Sequence, residues 1–137
     1  MTAKQVKLAK DMAVRGLRIF PQKNDKKGGF AAGYKDTATS DTAQLDVWAK
    51  EHPRANFGAL CGKVSGICIM DVDVKNPKID GAASYHALCD KYGEPETVKV
   101  RSPSGGWHLY FQYPQKGTIP TVPTLIGYPG VEILSDG

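Results

Sequence analysis

The sequence is poor in the residues that bind metals through sulfur or imidazole nitrogen. It has 137 residues but only three cysteines and three histidines. The cysteines, Cys61, Cys68 and Cys89, form no Cys-x-x-Cys pair, and the histidines are widely spaced. An odd number of such cysteines argues against both a disulfide framework and a zinc site. We therefore predict reduced, buried thiols and no histidine-rich metal cluster.

Long hydrophobic runs are also missing. No apolar stretch approaches the roughly 20 residues that a membrane-spanning helix needs. Charged residues occur throughout the first 20 positions, so the chain shows no uninterrupted signal-peptide core. The composition, 41% hydrophobic and 23% charged, is typical of a globular protein. We expect one cytoplasmic domain over residues 1–137, without a membrane partner.

Positive charge is scarce in the last two thirds of the chain. Residues 1–50 contain ten Lys/Arg and five Asp, a balance of +5, whereas residues 51–137 contain eight basic and nine acidic side chains, a balance of −1. Several lysines, including Lys35, surround the glycine-rich stretch "KNDKKGGFAAGYK". A solvated loop would explain this cluster. A loop that faces phosphates would also do so, because polyanions favour concentrated positive charge.

Hydrophobic periodicity predicts an α+β fold. Helical spacing covers residues 3–16, the segment between Asp41 and Pro53, and residues 81–92. Extended patterns cover 17–20, where Pro21 ends the strand, then 97–102, 106–113 and 131–135. Residues 56–62 and 66–72 read as a hairpin or as neighbouring strands, and 22–40 as a long loop. We expect a mostly antiparallel sheet with helices on one face, in a domain truncated at its C-terminal edge, because the chain stops directly after a strand.

Two aspartates end the apolar run "ICIMDVDV" (67–74). In a strand, residues i and i+2 point to the same face, so Asp71 and Asp73 would project together, with Cβ atoms roughly 6–7 Å apart. Two like charges so close repel unless a cation or a proton intervenes. Carboxylate oxygens are preferred ligands of Mg²⁺ and Mn²⁺, which often hold substrate phosphates. A strand that runs into a solvated turn is the alternative explanation.

Small residues precede a histidine in "RSPSGGWHLYF" (101–111). Ser102, Ser104, Gly105 and Gly106 would let backbone N–H groups approach an anion closely. His108 could donate a hydrogen bond or a proton to the same anion. A tight β-turn before a half-buried histidine would leave the same pattern.

An acid interrupts the last apolar strand. Glu132 lies between Val131 and Ile133, where a carboxylate is costly unless it is paired or bound to metal. If its strand neighbours that of Asp71, three carboxylates converge, as a two-metal phosphoryl-transfer site requires. The alternative explanation is an edge strand whose outward face, with Glu132, is solvated.

The order of these motifs resembles the catalytic core of the bifunctional primase-polymerase (prim-pol) family, in the archaeo-eukaryotic primase superfamily of phages and plasmids. The resemblance spans nearly the whole chain. "GLRIFP" (16–21), "GYKDTATSD" (33–41) and the tryptophan-containing "LDVWAKEHPRANFGALCG" (45–62) match its first part. "SGICIMDVD" (65–73) and "SPSGGWHLYF" (102–111) follow at the usual positions.

The resemblance implies an RRM-like primase core with an N-terminal αβ unit. Asp71, Asp73 and Glu132 would bind two Mg²⁺ or Mn²⁺ ions. His108 and the four small residues before it would hold the triphosphate of an incoming nucleoside triphosphate, and Lys35 would occupy the place of a basic loop residue near phosphates. The partners implied are single-stranded DNA template and, in replication, a helicase or a C-terminal primase subdomain.

The chain departs from the family pattern in two ways. The third acid is Glu rather than the more frequent Asp, and the strand and proline-rich turn that normally follow "DG" are missing. Two other functions stay open. One is a catalytically inactive fragment that binds nucleotide or DNA or docks onto a replisome. The other is a metal-dependent replication endonuclease, although no nucleophilic tyrosine or histidine pair stands near Asp71.

Overall fold

The chain forms two compact units, Met1–Leu60 and Cys61–Gly137. Their structure comes from a computed structural model, which describes residues 1–23 and 33–137. None of the described helices is long and apolar enough to cross a membrane. The expectation of one domain over residues 1–137 stays a prediction, and each unit is described by itself.

Three helices belong to the first unit. Helix α1 (Ala3–Val14) begins with a capping box, in which the Thr2 hydroxyl accepts from the Gln5 N–H at 3.2 Å and the Gln5 side chain accepts from the Thr2 N–H at 2.8 Å. Helix α2 (Tyr34–Thr37) lies in the segment that the pattern predicts as loop. Helix α3 (Thr42–Glu51) has the predicted cap, since the Asp41 carboxylate accepts from the Ala43 N–H at 2.9 Å.

A two-stranded antiparallel sheet completes this unit. Strand β1 (Ile19–Gln22) pairs with β2 (Asn56–Ala59), so Pro21 lies inside β1 and the prediction that it ends the strand is wrong. Within residues 1–23 and 33–137, β1 pairs with β2 and otherwise forms a single bridge, between Ile19 and Thr39, so Pro21 can be tolerated as in an edge strand. The core consists of α1, α3 and β1 residues, namely Ala9, Ala13, Ile19 and Leu45.

The second unit contains a four-stranded antiparallel sheet and one helix. Its elements are β3 (Ile67–Val72), α4 (Gly81–Tyr92), β4 (Lys99–Arg101), β5 (Trp107–Gln112) and β6 (Val131–Leu134). The strand order is β4-β5-β3-β6, and all three pairings are antiparallel. These bounds agree closely with the predicted strands and helix, and the α+β class is confirmed.

The predicted segments 56–62 and 66–72 meet at one antiparallel bridge, in which the Gly62 N–H donates to the Ile67 carbonyl at 2.6 Å, but the hairpin does not extend along β2 and β3. Strand β2 pairs with β1 and β3 with β5 and β6, so the two strands belong to different sheets. Their apolar residues join different cores: Phe57 and Ala59 pack with α1 and α3, while Met70 and Val72 pack with α4. Burial against helices that are distant in sequence therefore outweighs the short connection between the two strands.

Side-chain alternation separates the two faces of the four-stranded sheet. Val72, Leu109 and Val131, one from each of three adjacent strands, are fully buried with Tyr85 of α4. Their neighbours in sequence therefore point to the face turned away from α4. Asp71, His108 and Glu132 are three of those neighbours, so the core packing selects the face on which they lie.

Candidate active site

Asp71 is the middle of a polar row across the second sheet. It is paired with His108 of β5 on one side and with Glu132 of β6 on the other. Directly opposed side chains on one face have Cβ atoms about 4.5–5.5 Å apart. The next position across the sheet, opposite His108 on β4, is the apolar Val100. Three of the predicted site residues are thus brought together by strand register, although 61 positions separate Asp71 from Glu132 in the numbering.

His108 and Asp71 are in contact. The distance from His108 Nε2 to Asp71 Oδ1 is 3.3 Å, and the two side chains keep 36% and 25% of their surface accessible. A protonated imidazole at this distance would form an ion pair with the carboxylate. Both groups stay accessible enough to meet a ligand from the open face.

Asp73 lies one residue beyond the end of β3. Its backbone N–H donates to the Gly130 carbonyl at 2.8 Å, which continues the alignment of β3 with the start of β6. Its carboxylate, however, accepts from the Lys75 N–H at 2.8 Å and so closes a local turn. The side chain is exposed. Asp73 thus forms the kind of turn that the alternative explanation expects, and its role as a metal ligand stays a prediction.

The segment Ser102–Gly106 forms the tight turn between β4 and β5. The Ser102 N–H donates to the Gly106 carbonyl at 2.9 Å, and the Gly105 N–H donates to the Ser102 carbonyl at 3.0 Å. The hydroxyls of Ser102 and Ser104 are 3.2 Å apart. Ser104 is exposed and Ser102 half-buried, so two hydroxyls gather at one place on the surface of the turn.

Close backbone packing brings this turn to the end of β3. A Cβ atom at Gly106 would lie 2.1 Å from the Val72 carbonyl oxygen, and one at Gly105 would lie 3.9 Å from Val74 Cγ2. The turn is therefore adjacent to the residues on either side of Asp73. A ligand over the turn would also reach the acidic end of the strand.

Two further glycines pack against the same end of β3, and they were not predicted from the sequence. A Cβ atom at Gly81 would lie 2.1 Å from the Asp73 carbonyl oxygen, and one at Gly130 would lie 2.7 Å from the Gly81 Cα. The start of α4, the end of β3 and the start of β6 therefore meet backbone to backbone. Only the dipeptides "DG" and "PG" pointed to these positions, and such pairs are usually read as turns.

Comparison with protein families decides the assignment. Residues 9–137 match the family model described as bifunctional DNA primase/polymerase, N-terminal. The chain belongs to this family. Among curated proteins, none matches the sequence. The recognition of the family from its motifs is thereby confirmed, and the family carries with it a DNA primase/polymerase type of function that acts on nucleotides and a DNA template.

The primase/polymerase family also implies a divalent metal, and the donor atoms fit one in part. Asp71 and Glu132 supply hard carboxylate oxygens in directly opposed positions, which suits Mg²⁺ or Mn²⁺. Within residues 1–23 and 33–137, however, no group of three or more His, Cys, Asp or Glu side chains is arranged to hold a metal ion. The Asp73 carboxylate accepts from the Lys75 N–H, and its role as a third ligand stays a prediction.

Lys35 of the primase/polymerase chain is exposed on α2, in the first unit. Lys26 and Lys27, which the sequence places in the same basic cluster, lie outside the described residues. The assignment of Lys35 to the nucleotide site stays a prediction.

The three cysteines are free thiols, as predicted. Cys68 is buried, whereas Cys61 and Cys89 are only half-buried. Burial raises the pKa of Cys61 to about 11, with a smaller contribution from neighbouring Cys68. The Cys61 thiol is therefore a poor nucleophile at neutral pH, because the thiolate is the reactive form.

Proposed function

We propose that the chain is the nucleotidyl-transferring part of a primase/polymerase, which adds nucleotides to a 3′-hydroxyl on a single-stranded DNA template in phage or plasmid replication. The observation that carries the proposal is the His108–Asp71–Glu132 row, which lies on one face of one sheet. Opposed carboxylates are unfavourable in a sheet unless a cation offsets them. A metal-bound nucleotide is the ligand that this face and the family together favour.

The acids would act as ligands. Asp71 and Glu132 would hold the cations from opposed strands, and Asp73 would join them on release from its turn. Bound Mg²⁺ or Mn²⁺ would supply Lewis-acid stabilisation of the phosphate oxygens and of the attacking hydroxyl. Gly81 and Gly130 would have a separate role, because their close contacts fix the backbone position of Asp73.

His108 and the turn would bind the phosphates. His108 Nε2 lies 3.3 Å from Asp71 Oδ1, so the imidazole stands beside the acid. The ring would donate an N–H that Asp71 does not occupy to a phosphate oxygen and stabilise the charge that develops on the leaving pyrophosphate. The hydroxyls of Ser102 and Ser104 would contribute neutral donors to the same group.

Nucleotide incorporation on a primed single-stranded template tests the proposal. We expect Asp71→Asn and Glu132→Gln each to lower the incorporation rate at least about 100-fold, since each removes a charged ligand and keeps the side-chain volume. Asp90→Asn is the matched control, because Asp90 is exposed on α4 and outside the row. Equal activity in all four proteins would refute the assigned roles.

A second function, nucleotide or DNA binding without turnover, is favoured by one observation. The Asp73 carboxylate is bonded within its own turn, and no three-ligand group is formed in the described part of the chain. Calorimetric titration of Mn²⁺ and a nucleoside triphosphate separates the two functions. Binding that survives Asp71→Ala/Asp73→Ala and needs no metal would favour the binding module, whereas loss of binding would favour the enzyme.

A further inference from the structure

The four-stranded sheet has an open edge at β4. In the described parts of the chain, residues 1–23 and 33–137, this strand pairs with β5 alone. The other end of the sheet is covered, because Val122 exchanges backbone hydrogen bonds with Ile133 of β6 at 2.8 and 2.9 Å. An unpaired strand edge is a template for the backbone of another extended chain. Within this part of the molecule, β4 is therefore the end of the sheet to which a further strand can be added.

The strand register shows which backbone groups of β4 face outward. The Tyr110 N–H donates to the Val98 carbonyl at 3.0 Å, so Val98 occupies a hydrogen-bonded position opposite β5. Hydrogen-bonded and non-hydrogen-bonded positions alternate along an antiparallel strand. The N–H and C=O groups of Lys99 and Arg101 therefore point away from β5. Together they offer two donors and two acceptors at the edge of the sheet.

Two cations line one face of this edge. Lys99 and Arg101 are two positions apart in β4, so both side chains lie on the face that carries α4. Lys99 Nζ lies 4.7 Å from the centre of the Trp107 ring and 4.9 Å from that of Tyr85, and these contacts hold the cation in place. Arg101 is exposed, its Nη2 atom lies 3.8 Å from the position of a Cβ atom at Gly105, and it takes part in none of the ion pairs found among the described residues. This face therefore favours acidic side chains on an added strand.

A carboxylate already reaches one of the two cations. Glu94 Oε1 lies 3.8 Å from Lys99 Nζ, and the Glu94 side chain keeps 71% of its surface accessible. An exposed ion pair of this kind contributes little to stability. A carboxylate of a partner can therefore replace Glu94 beside Lys99 at low cost.

The other face of the same edge is apolar. Val98 and Val100 keep 65% and 46% of their surface accessible, and alternation places them opposite to the two cations. Exposed β-branched side chains at a strand edge gain stability when a neighbouring strand covers them. An added strand would cover them best with an apolar side chain between two acidic ones.

We propose that the outer edge of β4 binds an extended acidic segment of a partner protein, which adds to the sheet as a fifth strand with alternating acidic and apolar side chains. A second copy of the chain fits less well, because antiparallel pairing of two β4 strands about Val100 sets Lys99 of each copy opposite Arg101 of the other. A DNA backbone also fits less well, because its phosphates accept hydrogen bonds and have no donor for the outward carbonyls. This surface is separate from the proposed nucleotide site, since its cations lie on the face opposite to His108.

Fluorescence anisotropy with a labelled peptide tests the proposal on the full chain. The probe is a fluorescein-labelled pentapeptide of alternating glutamate and valine, with glutamate at both ends and an amidated C-terminus. Two analogues are compared with it, one with lysine in place of glutamate and one with a methylated backbone. We expect the lysine analogue to bind at least about tenfold more weakly than the acidic peptide, because like charges then meet at the edge. Backbone methylation should also weaken binding about tenfold, because it removes the donors that pair with the outward carbonyls.

Charge reversal on the protein gives the matching test. We expect Arg101→Glu to weaken binding of the acidic peptide about tenfold or more and to strengthen binding of the lysine analogue. Lys116→Glu is the matched control, because Lys116 is an exposed cation of the same unit outside β4. It should change neither affinity. Thermal unfolding shows whether each variant is folded, and the three peptides on the unchanged chain decide the proposal even where a variant is not.

Four results would overturn the inference. The first is no binding of the acidic peptide, or equal binding of the acidic and lysine peptides. The second is binding that backbone methylation leaves unchanged, which would indicate attraction between charges without strand addition. The third is displacement of the peptide by single-stranded oligodeoxynucleotide whose own affinity falls in Arg101→Glu, which would assign the edge to DNA. The fourth is a dimer in sedimentation that Arg101→Glu alters, which would assign the edge to a second copy.

Discussion

Gly105 and Gly106 occupy positions where a side chain would strain or collide with the backbone. Gly105 has φ +92°, a conformation that residues with a Cβ rarely adopt. Gly106 approaches the Val72 carbonyl too closely for any Cβ atom. Both glycines are therefore required by the turn itself, whether or not it binds phosphate. Substitutions of Ser102 or Ser104 test phosphate binding more directly than substitutions of these glycines.

Gly106→Ala should destabilise the second unit by about 3 kcal/mol, at the upper end of the cost of overpacking, because the new methyl group meets a rigid backbone oxygen. Gly117→Ala is the matched control. Its Cβ atom would have no neighbour within 4 Å, so this variant pays only for its positive φ of 85°, about 1 kcal/mol. Urea unfolding measures both values. A smaller loss for Gly106→Ala than for Gly117→Ala would show that the turn moves freely away from β3.

At the scale of elements, helix α4 and strand β3 place Asp73 through one backbone junction. The helix begins at Gly81 against the Asp73 carbonyl oxygen, and its residue Ser84 donates to the Pro129 carbonyl at 2.7 Å. The helical periodicity of 81–92 and the apolar run of 66–72 predicted both elements, because those patterns depend on local burial alone. The contact between their ends was not predictable, since it depends on the path of the loop that joins them.

The N-terminal cap of α4 offers a test at this scale. The Asp80 carboxylate accepts from the Ala83 N–H at 2.9 Å, so Asp80→Ala should lower the free energy of unfolding by about 1 kcal/mol. Asp90→Ala, in the last turns of the same helix, should be neutral or slightly stabilising, because a negative charge there opposes the helix dipole. Denaturant titration monitored by circular dichroism compares the two. Equal losses of stability in the two variants would contradict the capping role of Asp80.

At the scale of the whole molecule, Asp136 forms hydrogen bonds with parts of the second unit that are distant in sequence. Its carboxylate accepts from the Lys63 N–H at 2.9 Å and from the Tyr113 hydroxyl, and its backbone N–H donates to the Ile119 carbonyl at 3.1 Å. The Lys63 N–H, and next the Tyr113 hydroxyl, hold the pKa of Asp136 below its ordinary value of 3.8. The ionised carboxylate is thus the form that the fold prefers.

This lowered pKa predicts acid-sensitive stability. A group whose pKa is lowered on folding stabilises the protein above its unfolded pKa, and the gain is lost as the pH falls through the folded value. The difference in free energy of unfolding between wild type and Asp136→Asn should be constant from about pH 5 to 8 and shrink below about pH 4. Chemical unfolding at a series of pH values measures it. A difference that stays the same down to pH 2.5 would contradict the role of the charge.

Local patterns in the sequence determined much of this protein: three helices, the strands of the second sheet, the acids at the end of β3 and the small residues before His108. These features depend on neighbours within a few positions, through periodicity, capping and turn chemistry. Tertiary structure decided the rest. Core burial paired β2 with β1 rather than with β3, and register set Glu132 opposite Asp71. The fold also turned the Asp73 carboxylate onto Lys75 and laid Arg101 against the turn. The strand pairings follow from long-range packing, in which several local arrangements compete and the buried surface selects one.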